Sequence, residues 1–229
     1  MSCLLILDAS STLCSVALDI DGETLWLTED QPRRHAQRLL PMVDELMADA
    51  GITRAELDGV AFGCGPGSFT GIRIAVAVAQ GIALALDLPV CGISSLRTIA
   101  QAALRESGAE KALAVMDAHM GEVFWGVYRM ENGLAVPCGD EKVASPELCL
   151  ADIDTWDGII AGDGLQLMPF AHCDQTYACI RPEARSMASL ARVAWDSGKF
   201  GDADVHPPVY LRNSVAWKKL DEQPSLLKR

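Results

Sequence analysis

Basic residues are scarce in this chain. Nineteen Lys and Arg stand against 31 Asp and Glu, and the resulting net charge of −12 is spread along 229 residues. A protein that grips nucleic acid by itself needs clustered Lys and Arg to release phosphate counterions, so the composition argues against that class. The one locally basic stretch is the tail from Arg212 to Arg229. Aromatics are also few, at 6%, yet half of the residues are apolar, which is an ordinary globular composition rather than a disordered one. Long uninterrupted apolar runs are missing too. The longest, Ile72 to Leu86, is broken by Arg73 and Gln80, and it falls short of the roughly 20 apolar residues that span a bilayer.

The eight cysteines form no C-x-x-C pair and no Cys/His cluster with metal spacing. Cys3 and Cys91 lie in apolar, strand-like runs, and the chain opens directly on the strand "CLLILDAS". Buried free thiols in a reducing compartment are therefore expected, in a soluble cytoplasmic protein with no membrane attachment. His35, His119, His172 and His206 are scattered, with neither His-x-x-x-His nor His-Glu-x-x-His. Each reads as a surface or capping residue, and no resident metal is expected.

The pattern of the chain suggests a duplication. "CLLILDAS", "CSVALDI" and "ETLWLTED" read as three strands, the last two joined by Asp21-Gly22, a hairpin signal. In "RRHAQRLLPMVDELMADAG", Leu39, Val43, Leu46 and Met47 recur at helical spacing and Gly51 supplies the stop. A buried strand "LDGVAFG", a glycine turn, an apolar helix to Leu86, a strand "PVCGISS" and a helix capped by Ser95 follow. At "ALAVMDAHMGEVFWGVYRMENG" the opening pattern returns, with Asp117 in the place of Asp8 and Asn132-Gly133 in the place of Asp21-Gly22. A strand "DGIIAGDG" and a helix from about Ser186 to Ser197 complete the second copy. We therefore expect two domains, 1–108 and 109–229, each a mixed sheet flanked by helices, with the tail 206–229 returning to pack on the first.

Catalytic motifs fit poorly. The stretch "GCGPGSFTG" lacks the Lys of a P-loop and misses G-x-G-x-x-G from either Gly63 or Gly65. "GSFTG" places its Ser one position early for a nucleophile elbow. Two readings of the turn stay open: an anion held by backbone N–H groups with Ser68 and Thr70 as caps, or a tight turn that packs strand against helix. Asp8 and Asp117 each end a first strand, where a duplicated fold would set them across a cleft. A carboxylate pair there could hold Mg²⁺ with a nucleotide's phosphates, whereas a strand-terminal Asp also commonly binds backbone N–H groups of the next turn. "DASST" keeps small hydroxyl residues, Ser10 and Ser11 among them, while "DAHMGE" offers no Gly pair or Lys.

The apolar helix raises a separate question. An amphipathic surface helix carries a charged face opposite its apolar stripe, and here the small residues Ala75, Ala77, Ala79, Gly81, Ala83 and Ala85 allow close approach on every side. One side packs on its own sheet; the other is covered either by the same chain or by a protein partner. On the preceding helix Leu40, Met42 and Leu46 fall off the main Leu39–Val43–Met47 stripe and are further contact candidates.

Five blocks, "LILDASSTLCSVAL", "HAQRLLPMVDEL", "GCGPGSFTGIRIAVAVAQGIALAL", "MDAHMGEVFWGVY" and "PVYLRNSVAWKKL", resemble the TsaB (YeaZ) family over nearly the whole length. The resemblance implies an α/β fold of two ribonuclease-H-like domains of the actin and sugar-kinase superfamily. It also implies a non-catalytic accessory subunit for tRNA threonylcarbamoyladenosine synthesis. In that family the catalytic paralogue TsaD transfers the threonylcarbamoyl group to the adenosine beside the anticodon of tRNAs reading codons that begin with A, and the ATPase TsaE joins the complex. Carried over by position, the resemblance puts His35, Leu39, Met42, Val43, Leu46, Ser68, Phe69, Arg73, Ile74 and Val78 at a contact with TsaD, or with a second copy when TsaD is absent. Asp8, Ser10, Ser11 and Asp117 become a vestigial nucleotide cleft, ATP or ADP and Mg²⁺ belong to the complex, and tRNA is reached only through it. His119 and Met120 stand where relatives often carry basic residues. The rival readings are a small kinase or ATPase working through Asp8 and Asp117, a glycoprotease-like peptidase, and a homodimeric scaffold.

Overall fold

The computed structural model describes residues 2–30, 32–152, 156–168, 176–202 and 206–212. Two mixed sheets organise them. In the first, β1 (Cys3–Asp8) pairs antiparallel with β2 (Leu13–Ile20), and β2 pairs antiparallel with β3 (Glu23–Asp30). On its other side β1 runs parallel to β4 (Gly59–Gly65), and β4 runs parallel to β5 (Val90–Ser94). The second sheet repeats this order. β6 (Lys111–Asp117) pairs antiparallel with β7 (Val123–Glu131), which also takes β8 (Leu134–Pro137) and β9 (Lys142–Ala144). β10 (Ile159–Ala161) and β11 (Thr176–Tyr177) continue it in parallel. Both expected hairpin turns are present: Asp21 and Gly22 have φ of 50° and 91°, Asn132 and Gly133 of 50° and 79°. Two consecutive positive φ values match the twist of the flanking strands and favour Asp-Gly and Asn-Gly. The fold is the duplicated α/β arrangement expected of the actin-like superfamily.

The central strands β1 and β4 are buried at every position because helices cover both faces of the first sheet, whereas the edge strand β3 is largely exposed. Leu5 and Leu7 pack under α1 (His35–Ala50) and α2 (Phe69–Leu86). Leu4 and Ile6, pointing the other way, pack under α5 (Ala184–Asp196). The helix between β5 and β6, α3 (Ser95–Ser107), crosses over. Its Leu96, Ile99 and Ala103 pack with Ala112, Ala114 and Ile159 of the second sheet, whose opposite face meets Cys149 of the short α4 (Pro146–Asp152). A cut at 108/109 thus separates the two sheets but leaves each half's last helix on the other half's sheet. Buried polar groups tie the halves further. The Gln101 amide donates to Gly133 O at 3.0 Å and accepts from Ala135 N–H at 2.7 Å. The α3 cap is Ser94, whose Oγ accepts from Arg97 N–H at 3.2 Å; Ser95, the expected cap, is the first helical residue.

Residues 206–212 run back over the first sheet. Val209 N–H donates to Cys64 O at 2.8 Å, while Arg212 pairs with Glu122 in the turn after β6. This stretch therefore touches both halves. His172 and residues 213–229 of the expected tail lie outside the described residues.

Candidate functional site

The glycine turn ends where α2 begins. Ser68 caps the helix, its Oγ accepting from Gly71 N–H at 3.2 Å. Ser68 N–H itself donates to Ser10 O at 2.8 Å. A Cβ at Gly67 would collide with Ser10 O, and one at Gly71 with Ala9 O. These glycines let the turn and the first helical residues lie directly on the backbone after β1. Of the two readings of this turn, close packing of strand against helix is the one its geometry supports, since Ser68 N–H is taken by Ser10 O and Gly71 N–H by Ser68 Oγ.

Asp8 is fully buried. Its Oδ1 accepts from Ser10 N–H at 3.1 Å, and both carboxyl oxygens accept from Ser10 Oγ, at 3.1 and 2.9 Å. Burial pushes the carboxyl up to about 7, against the opposing pull of the Ser10 hydrogen bonds. Ser11 Oγ serves the turn by accepting from Leu13 N–H at 3.1 Å. Asp117 is half-exposed, and its Oδ1 accepts from His119 N–H at 2.7 Å. A magnesium-bound nucleotide requires accessible, ionised oxygen ligands. Asp8 is inaccessible and its carboxyl is held towards the neutral form, so as folded here the pair does not fit such a group. Among the described residues no three His, Cys, Asp or Glu side chains gather as a metal-holding group.

The outer face of α2 is a different kind of feature. The helix starts three residues before the apolar run from Ile72, and its 18 residues have a mean hydropathy of 1.8 with only 33% of them buried. By length and composition alone it could cross a bilayer, yet one side is committed to the protein core. Gly71, Ile72, Ala75, Val76, Ala79 and Ala83 face inward onto the first sheet and α1. Opposite them Phe69, Arg73, Ala77, Gly81 and Leu84 are exposed, Leu84 by 86%. A groove of about 510 Å³ runs between this face and α1, lined by Leu40, Ala77, Val78, Gly81, Ile82 and Leu86 among others. At the helix start the Arg73 guanidinium lies 3.6 Å over the Phe69 ring, and its Nε donates to Tyr210 Oη at 3.0 Å. The Phe69 and Tyr210 rings stand 5.6 Å apart. An arginine held between two half-exposed aromatic rings is the composition typical of binding hot spots.

The structure divides the expected contact residues. Phe69 and Arg73 are on the open face, Ile74 and Val78 are half-buried, and half-buried Ser68 is the cap. His35, Leu39, Met42, Val43 and Leu46 are at most 7% exposed and belong to the chain's own core. The cause is that α1 rests on both β2 and α2, so its apolar stripe is wider than one row. Those five support the face from beneath; on α1 the exposed apolar residue is Leu40. Sequence reasoning did not single out Leu84 or Tyr210. For Leu84 the signal was present, since Ala77, Gly81 and Leu84 lie opposite the inward-facing small residues on a helical projection. For Tyr210 there was none, because its position depends on the returning tail.

Comparisons with known proteins agree with this architecture. The family model for TsaD, tRNA N6-adenosine threonylcarbamoyltransferase, matches residues 29–153. A protein of Escherichia coli strain K12, the tRNA threonylcarbamoyladenosine biosynthesis protein TsaB, is 40% identical over 95% of this chain and 97% of its own length. The protein of the same name from Haemophilus influenzae is 38% identical over 95% and 96%. Two solved structures from Pseudomonas aeruginosa superpose with TM-scores of 0.87 and 0.86 at 45% identity. They cover 93% and 92% of this chain and all of their own; one is described as YeaZ, the other as an uncharacterized protein with similarity to peptidase YEAZ. On the full-length match to these relatives, the chain belongs to the TsaB family, named for tRNA threonylcarbamoyladenosine biosynthesis.

Proposed function

We propose that this chain acts in tRNA threonylcarbamoyladenosine biosynthesis as a subunit without chemistry of its own. It docks on TsaD, activates threonylcarbamoyl transfer to the adenosine beside the anticodon of tRNAs reading codons that begin with A, and offers TsaE a platform. The observation that carries this reading is the open side of α2, where an apolar stripe from Ala77 to Leu84 borders the groove against Leu40. Apolar surface of that continuity marks interaction sites. A paralogue with the same fold is a natural occupant, and a second copy would use the same patch when TsaD is absent, as an isologous contact. tRNA meets the complex through TsaD, consistent with the net charge of −12 on this chain. Nucleotide and Mg²⁺ belong to the assembled complex, in keeping with the sealed environment of Asp8. A kinase, ATPase or peptidase activity would have to work around that buried carboxyl.

The test is reconstitution. Purified synthase, TsaD, TsaE and unmodified tRNA are combined with threonine, bicarbonate and ATP, with and without this protein, and modified adenosine is quantified by mass spectrometry. Modification that appears only with the chain present is the expected result. Equal modification without it would remove the assignment.

A further inference from the structure

A second concave surface lies on the opposite side of the first sheet, along α5. One hollow of about 470 Å³ has Arg185, Ser189 and Arg192 of α5 on one wall, with the hairpin turns at Gly22 and Asn132 beside them. A second, of about 330 Å³, lies between α3 and α5 and shares Arg105 and Arg185 with the first. Their sizes are those of small-molecule sites.

The charge here runs against the rest of the protein. Three guanidinium groups line one hollow of a chain whose net charge is −12. Arg192 is committed: its terminal nitrogens donate to Ser2 and Asp19. Arg185 lies 4.0 Å over the Trp26 ring, a contact made by the flat face of the guanidinium that leaves its in-plane N–H donors unused. Among the described residues neither Arg105 nor Arg185 forms an ion pair, although both are exposed. Three carboxylates lie nearby. Asp19 is bound to Arg192, Glu183 accepts from Thr28 Oγ1 at 3.3 Å, and Glu106 is exposed beside Glu183 on the wall of the smaller hollow, whereas Asp19 alone lines the larger one. Two polar atoms of the lining residues, Ser189 Oγ and Arg192 Nε, are buried without a hydrogen-bond partner.

We propose that this rear groove binds a phosphate-bearing small molecule, with Arg105 and Arg185 holding the phosphoryl oxygens. Planar guanidinium forks match phosphate geometry, and in the larger hollow the carboxylate, Asp19, is already taken by Arg192. Trp26 fixes the plane of Arg185 and so pre-organises one of the two forks.

Isothermal titration calorimetry of inorganic pyrophosphate into the full chain, at constant ionic strength, tests the assignment. The wild type is expected to show saturable one-site binding. Arg105→Ala and Arg185→Ala should each weaken it roughly tenfold or more, the loss typical of a charge-assisted hydrogen bond. Arg129→Ala, which removes a surface arginine paired with Glu131, should leave it unchanged. Both test positions are exposed, so melting temperatures should match the wild type and certify the fold. Absence of saturable binding overturns the proposal, and so does binding that is equally strong in both variants.

Discussion

Asp8→Asn is a substitution whose effect on the pH dependence of stability the structure fixes in sign. Asp8 is fully buried, and its carboxyl is pushed from its ordinary 3.8 up to about 7 by burial. A carboxyl raised in the folded state is protonated there while the unfolded chain has already released its proton. Its contribution is therefore fully present below about pH 4 and is lost as pH rises towards 7. The slope across that window is about 1.4 kcal/mol per pH unit, and the full loss is on the order of 4 kcal/mol. Asparagine keeps the shape and the acceptor for Ser10 but carries no proton to lose. The difference in stability between variant and wild type should therefore shift in the variant's favour by on the order of 3 kcal/mol between pH 5 and pH 8. For a chain of this size that is roughly 6–12 °C in melting temperature. Thermal unfolding followed by circular dichroism at both pH values reads it directly. A difference that does not change with pH would refute the account of Asp8 as a sealed, proton-holding group.

Two further substitutions probe the division between core and face. Leu46→Ala should cost about 2–5 kcal/mol in urea unfolding, because Leu46 is 4% exposed inside the α1 core; a neutral effect would put it back on the docking surface. Gly71→Ala should destabilise by more than about 1 kcal/mol, since its Cβ would collide with Ala9 O. An unchanged melting temperature would mean that the turn is not held against the end of β1.

Much of this architecture was legible in the sequence, for local reasons. Asp21-Gly22 and Asn132-Gly133 favour tight hairpins when they separate two apolar alternating runs, so the duplicated strand order could be read from turn chemistry and pattern together. Asp8 and Asp117 do end equivalent strands. What could not be read is non-local. The exchange of α3 and α5 between sheets depends on packing, and nothing in "LRTIAQAALRES" states which sheet will receive Leu96 and Ile99. Met42 and Leu46 looked free because a single helical stripe assumes a single neighbour, whereas α1 has two. The Phe69–Arg73–Tyr210 cluster joins residues 137 positions apart along the chain, beyond the reach of any periodicity.

The central claim is that the open face of α2 is where TsaD sits. Leu84→Asp tests it most directly, because Leu84 is 86% exposed and supports nothing within this chain. Purified TsaD would be titrated with wild-type and variant protein, and the affinity measured by calorimetry. The account predicts an unchanged melting temperature and at least a roughly tenfold weaker complex, the cost of burying an unpaired charge in an apolar contact. Equal affinity for TsaD in the two proteins would contradict it.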